Sequence, residues 1–189
     1  MSRILAIAVI ALLWALPASA QSPAPTLHPG TKISFAPTVG GAKLEQAVHL
    51  NAVPGGRGAG DTYIYSTGKM QITVDVYDLG RRVPPGSSNP TVANQFETET
   101  NAAEQQIRAA NYQRFERPTV PSTCTYGALS FRCLVYSAQT GGTRMYSKML
   151  LTGYNGFFVK INIIWSIGDK VTGIEADQAL NNFIPALMR

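Results

Sequence analysis

The chain has 189 residues, of which 45% are hydrophobic and 14% charged, with a formal net charge of +5. That is enough apolar material for one hydrophobic core and too much for a disordered chain. The charged share is below the ~25% common in soluble domains; the basic residues are scattered and their longest run is Arg81-Arg82, which speaks against a nucleic-acid partner.

Taken in chain order, the first signal is at the N-terminus. Arg3, an unbroken apolar run over residues 4–16, Pro17 and the small residues Ala18-Ser19-Ala20 read as a secretory signal peptide over 1–20, cut between Ala20 and Gln21. The run is too short to cross a bilayer as a helix. No cysteine stands at the cleavage site to carry a lipid, and no second apolar segment has membrane length. The expectation is a periplasmic or secreted protein that is soluble and not membrane-spanning. Residues 21–30 (QSPAPTLHPG) read as a Pro-rich, poorly ordered leader, and 31–189 as a single α+β domain.

Within the domain, 31–35 suggests a short edge strand and 43–50 a second strand, followed by the glycine-rich loop 51–61. Residues 63–66 and 69–78 form a predicted hairpin about Thr67-Gly68. Met70, Ile72, Val74 and Val76 alternate with Gln71, Thr73, Asp75 and Tyr77, the period of a half-buried strand. A helix is predicted from Pro90, capped by Asn89, to near Asn111, with Val92, Phe96, Ala103, Ile107 and Ala110 on one stripe. After a strand over 112–119, three long strands follow as an antiparallel meander, with turns at Thr140-Gly141-Gly142 and at 153–156. The last element is a helix opened by the Thr172/Glu175 capping box, its apolar stripe running from Ala176 to Leu187, ended or bent by Pro185. This order predicts an antiparallel sheet of six or seven strands packed with two helices. One core is expected from Phe131, Met149, Ile161, Trp165, Phe96, Ile107, Leu180 and Phe183.

Cys124 and Cys133 are the two cysteines. An exported chain meets oxidising conditions, so a disulfide between them is expected. Their spacing fits neither a C-x-x-C redox motif nor a zinc site. Gly55, Gly56, Gly58 and Gly60 lack the following helix N-terminus that a phosphate loop needs. His28 and His49 are the two histidines; no H-E-x-x-H or G-x-S-x-G pattern accompanies them, and neither a metal nor a cofactor is expected. Asp75 and Asp78 read as a solvated strand face and a strand-end turn rather than a glycosidase pair.

The mixed face of the sheet is the candidate binding surface. Tyr77, Arg132, Tyr136, Arg144, Tyr146, Lys148 and Lys160 share that face in one register of the meander, and Tyr and Arg are favoured at binding surfaces. The competing expectation is that a helix covers part of it, since Leu134, Leu150, Phe158 and Ile164 intrude there.

The strand 69–78, the helix 92–110 and the meander ending GYNGFFVKINIIWS together resemble the PsbP-like α+β fold. The resemblance implies an antiparallel sheet flanked by helices, in a small exported or lumenal protein that binds partners and usually catalyses nothing. No motif carries a functional residue over. The sequence thus reads as a non-enzymatic protein of the bacterial envelope that binds a protein or envelope component. An envelope enzyme with its site near His49 and Asp61, and a small-ligand carrier, are the alternatives.

Overall fold

The computed structural model describes residues 25–50, 58–109, 113–116, 122–140 and 142–189. The expected signal peptide and residues 21–24 of the leader lie outside them, as do Gly55 and Gly56.

Strands β1 (Thr26–Leu27) and β2 (Ser34–Phe35) pair as a ribbon of their own. Nine strands then build one sheet: β3 (Thr38–Val39), β4 (Ala42–His49), β5 (Asp61–Ser66), β6 (Met70–Tyr77), β7 (Gln113–Glu116), β8 (Ser122–Tyr126), β9 (Leu129–Thr140), β10 (Thr143–Tyr154) and β11 (Phe157–Ser166). Their order is β3-β4-β5-β6-β11-β10-β9, with β7 and β8 both paired to β9, and every pairing is antiparallel. Helix α1 (Pro90–Ala109) follows β6 and precedes β7; α2 (Gly173–Leu187) follows β11. The architecture is α+β with two helices among the described residues, as expected. The strand count exceeds the expected six or seven because β3 and β8, at two and five residues, are too short to show a period.

Local chemistry sets the boundaries. The Asn89 side chain accepts from Thr91 N–H at 2.9 Å, so α1 starts where the cap and Pro90 put it. At α2 both bonds of the capping box form, Glu175 N–H to Thr172 Oγ1 at 3.2 Å and Thr172 N–H to Glu175 Oε2 at 2.7 Å. Pro185 does not end this helix, which runs on to Leu187. The leader also departs from its expected disorder. From Thr26 it is paired in β1, and His28 is buried.

The sheet has two covered faces, not one. Cys133, Leu150, Ile161, Val74 and Tyr63 stand opposite one another across β9, β10, β11, β6 and β5, and all are buried. Over this row lie Leu180, Phe183 and Leu187 of α2, and the β1–β2 ribbon, whose Phe35 ring stacks on Tyr63 at 3.4 Å. On the opposite face Leu134, Met149, Leu151, Phe158 and Tyr77 meet Val92 and Phe96 of α1. The single core expected from sequence is therefore two. The register sets Leu150, not Met149, beside Cys133 and Ile161, which sends Met149 to the side of Phe96. Ile107 is only half-buried.

Polar groups close the α1 side. Lys160 Nζ stands 3.0 Å from Asp75 Oδ2 and 2.9 Å from Glu99 Oε2. Glu99 Oε1 accepts from Tyr77 Oη at 2.7 Å and Gln95 Nε2 at 2.9 Å, and Asp75 Oδ1 from Thr62 Oγ1 at 2.7 Å. Burial alone pushes the Glu99 carboxyl up, but Lys160, Tyr77 and Gln95 hold it below the usual carboxylate value. Burial likewise works against the Lys160 charge, and Asp75 and Glu99 more than offset it. Truncation and charge removal separate the two sources of stability. Phe96→Ala should cost about 3–5 kcal/mol in urea denaturation. Lys160→Met should cost about 2–3 kcal/mol, less than a fully buried pair because its side chain keeps 22% exposure. Adding Glu99→Gln to Lys160→Met should restore part of that loss; an unchanged or deeper loss would show that the ion cluster does not hold α1.

Candidate functional site

β11 ends in a 3-10 turn at Ile167–Asp169, capped by Ser166, whose Oγ accepts from Gly168 N–H at 3.0 Å. The chain then reverses through Lys170, which holds a left-handed conformation at φ 57°, into α2. This tight return leaves an open groove of about 750 Å³ between the first turn of α2 and the end of the sheet. Its floor is Val135, Tyr146 and Trp165, with the Tyr146 and Trp165 rings stacked at 5.5 Å and 13°. Its rim carries Ile167 at 53% exposure and Ile174 at 72%, the two most exposed isoleucines described. At its polar end Lys148 Nζ bonds Asp177 Oδ1 at 2.6 Å and lies 5.5 Å from the centre of the Tyr126 ring, whose hydroxyl bonds the same Asp177 oxygen at 2.9 Å. Burial opposes the Lys148 charge, yet Asp177 and Tyr126 hold its pKa above the ordinary lysine value.

The structure divides the seven residues expected on one face. Tyr77, Arg132, Tyr136 and Lys160 are on the α1 face; Arg144, Tyr146 and Lys148 are on the α2 face. The reason is again the β10 register, which sets Lys148 opposite Val135 and Ile163, and Tyr146 opposite Trp165. Tyr77 and Lys160 lie under α1 in the ion cluster. Arg132 donates to the Ser87 carbonyl at 3.2 Å, and Arg144 pairs with Glu116 at 3.4 Å. Tyr146 lines both the α2 groove and a second, smaller one of about 350 Å³, where Ile107 of α1 faces Tyr136, Met145 and Ile164. Both grooves open at the β9–β10 hairpin end of the sheet. Trp165 is buried in the core as expected and also floors the groove. Sequence reasoning missed Ile167 and Ile174 as groove residues; the available signal was an apolar residue in the turn after β11 and another in the first turn of α2.

At the other end of the sheet one carboxylate serves two imidazoles. His49 Nδ1 is 3.1 Å from Asp61 Oδ1, and His28 Nε2 is 3.6 Å from Asp61 Oδ2. Thr31 N–H donates to His28 Nδ1 at 3.0 Å, which places the ring proton on Nε2, facing the carboxylate. With one nitrogen accepting and the other donating, neutral His28 has no lone pair for a metal. Among the described residues no group of three His, Cys, Asp or Glu side chains is placed to hold one. The Tyr63 hydroxyl is buried with no hydrogen-bond partner, and burial, reinforced by Asp61, pushes it up to about 12. His49 is oriented by a single carboxylate, and the second group on Asp61 is an imidazole rather than another acid.

Cys124 and Cys133 are diagonal neighbours in the β8–β9 hairpin, on the face beneath α2. They stand as thiols 2.6 Å apart, and Ser122 Oγ lies 3.2 Å from Cys133 Sγ. Hydrogen bonds from Cys124 and Ser122 push the Cys133 thiol down. No helix among the described residues is long and apolar enough to cross a membrane. No protein-family model matches the chain, and no curated protein matches it.

His28 makes folding sensitive to mild acid. Burial, aided by His49, lowers its pKa below 6.5 against the opposing pull of Asp61 and Asp78. The unfolded chain therefore takes up a proton at a higher pH than the folded one. Stability should be full above about pH 6.5 and fall as pH drops from there through the folded pKa. Urea midpoints measured between pH 7.5 and 5 should show this slope in the parent and a flatter one in His28→Asn; parallel slopes would remove His28 as its source.

Proposed function

We propose that the chain is a non-enzymatic protein of the bacterial envelope, exported through residues 1–20, that binds a protein partner through the groove at the β9–β10 hairpin end. The observation that carries this reading is the stacked Tyr146–Trp165 floor beneath the exposed Ile167 and Ile174. Large exposed aliphatic side chains beside an aromatic floor lower the free energy when covered by apolar surface. Aromatic residues in such a hollow are the usual anchors of protein interfaces. The Lys148–Asp177–Tyr126 cluster supplies a polar end that fixes a partner's orientation without an unpaired charge. The resemblance to the PsbP-like fold points the same way.

A second reading rests on the 3.1 Å contact of His49 and Asp61, a geometry in which a carboxylate holds one imidazole nitrogen and leaves the other to act as a base. It is the weaker reading because no second acid joins His49 among the described residues.

Ile174→Asp and Tyr146→Ala should each reduce capture of the native partner from an envelope extract by about tenfold, with thermal unfolding little changed for Ile174→Asp because the residue is exposed. His49→Gln should leave capture intact. Capture unaffected by Ile174→Asp and Tyr146→Ala would remove the groove, and a turnover activity lost in His49→Gln would replace binding by catalysis.

Export carries its own expectation. The protein recovered from outside the cytoplasm should begin at or near Gln21. Denatured without reductant it should titrate no thiol, with Cys124 and Cys133 joined and the short loop they close worth roughly 2.5–3 kcal/mol. Two titratable thiols, or a retained leader, would count against export through an oxidising compartment.

A further inference from the structure

Residues 79–87 form a strap that crosses the β10–β11 turn, and backbone bonds pin it there. Val83 N–H donates to Gly156 O at 2.9 Å, Gly86 N–H to Gly153 O at 2.9 Å, and Gly153 N–H returns to Gly86 O at 3.4 Å. The approach is so close that a Cβ on Gly153 would stand 1.9 Å from Pro84 O. Gly58 packs on the start of the strap: Leu79 N–H donates to Gly58 O at 3.0 Å, and a Cβ on Gly58, at φ +80°, would stand 2.4 Å from Gly80 N. Asp78 closes the turn, its Oδ1 accepting from Gly80 N–H at 2.8 Å.

What this packing holds up is Arg81-Arg82. Both are exposed, and neither guanidinium has an ion-pair or hydrogen-bond partner among the described residues. Both line a hollow of about 640 Å³ whose other walls include Asp78, Asn155 and the half-buried Phe157 ring. The hollow lies at the β10–β11 turn, nine residues along β10 from Tyr146 and so about 30 Å from the groove.

We infer that this hollow is a second binding site, for a phosphorylated sugar, independent of the groove at the other end of the sheet. Two guanidiniums offer more N–H donors than a carboxylate has oxygens, and a phosphate group matches them. The volume exceeds that of a bare phosphate and leaves room for the sugar it esterifies. Asp78 keeps Oδ2 free of the turn bond, and a carboxylate oxygen in the wall accepts from a sugar hydroxyl. The half-buried Phe157 ring gives the wall an apolar part suited to the C–H side of a pyranose. The backbone bonds fix the strap beforehand, so little ordering is left to binding.

Calorimetric titration of the full mature chain tests this with glucose 1-phosphate, inorganic phosphate, glucose and phosphatidylglycerol vesicles. Glucose 1-phosphate should bind with a dissociation constant below about 1 mM, and inorganic phosphate about tenfold more weakly. Arg81→Ala and Arg82→Ala should each weaken glucose 1-phosphate by about tenfold with unfolding temperature unchanged. The double variant Lys43→Ala/Arg108→Ala removes twice the charge of either arginine variant, elsewhere on the surface, and should bind as the parent does. Asp78→Asn keeps the acceptor for Gly80 N–H, and it should weaken glucose 1-phosphate but not inorganic phosphate. Equal binding of glucose and glucose 1-phosphate would overturn the proposal, as would equal losses in the Lys43/Arg108 control. Retention on the vesicles without binding of the sugar phosphate would replace it by a lipid surface. Ile174→Asp should leave this titration unchanged, so failure here is separable from failure of the groove.

Discussion

Lys160 sits on a middle strand of the sheet, on a face that α1 covers, and a charge in that position has to be answered from within the protein. Asp75 answers it from the neighbouring strand and Glu99 from the helix. A sheet face alone does not supply two carboxylates at 3 Å to one ammonium, so the cluster forms only when α1 lies across β11 in one orientation. Tyr77 and Gln95 then take the other Glu99 oxygen, and the hydrophobic contact of Phe96 with Leu151 and Phe158 follows from the same placement. Apolar burial provides most of the stability of this face; the ion cluster restricts which packing is allowed.

Closing one face in this way concentrates what remains open at the two ends of the sheet and along the α2 side. The β10 register puts Tyr146 and Lys148 under α2 instead of under α1. Lys148 is thereby left to a single carboxylate on a half-exposed helix turn, and beside it α2 leaves Tyr146 only partly covered. The same alternation that makes one lysine a clasp makes the other the edge of a groove. At the far end the β1–β2 ribbon does what a helix does elsewhere, laying Phe35 over Tyr63 and lowering His28 onto Asp61.

Features carried by local chemistry were legible in the sequence. The alternation from Met70 to Val76, the Asn89 cap of α1 with Val92 and Phe96 behind it, and the Thr172/Glu175 box each involve residues within a few positions of one another, and each stands in the structure as the pattern implies. What escaped involves partners far apart in the chain. Asp75, Glu99 and Lys160 meet across two crossovers, and His28 reaches Asp61 only because the leader folds back as a ribbon. The face of β10 was misread for a related reason: its run from Met149 to Thr152 is buried on both sides, so alternation there carries no polar marker of which side is which. A lysine inside FFVKINIIW was the one available sign that a carboxylate had to lie opposite.

The cysteine hairpin ties this reading of the groove to the redox state of the chain. Tyr126 ends β8, and its hydroxyl and ring are the fixed surface against which Asp177 and Lys148 pair. β8 is an edge strand of five residues, held on one side only by β9. An edge of that length frays easily, and fraying would release Tyr126 and leave Lys148 with half its partners. A bond from Cys124 to Cys133 fastens β8 to β9 two residues from Tyr126, and it constrains the strand without occupying the groove. If the proposed groove binds a partner, a Cys124–Cys133 bond would act on it through Tyr126 and Asp177, by holding the polar end of the groove in the geometry that leaves no charge unpaired.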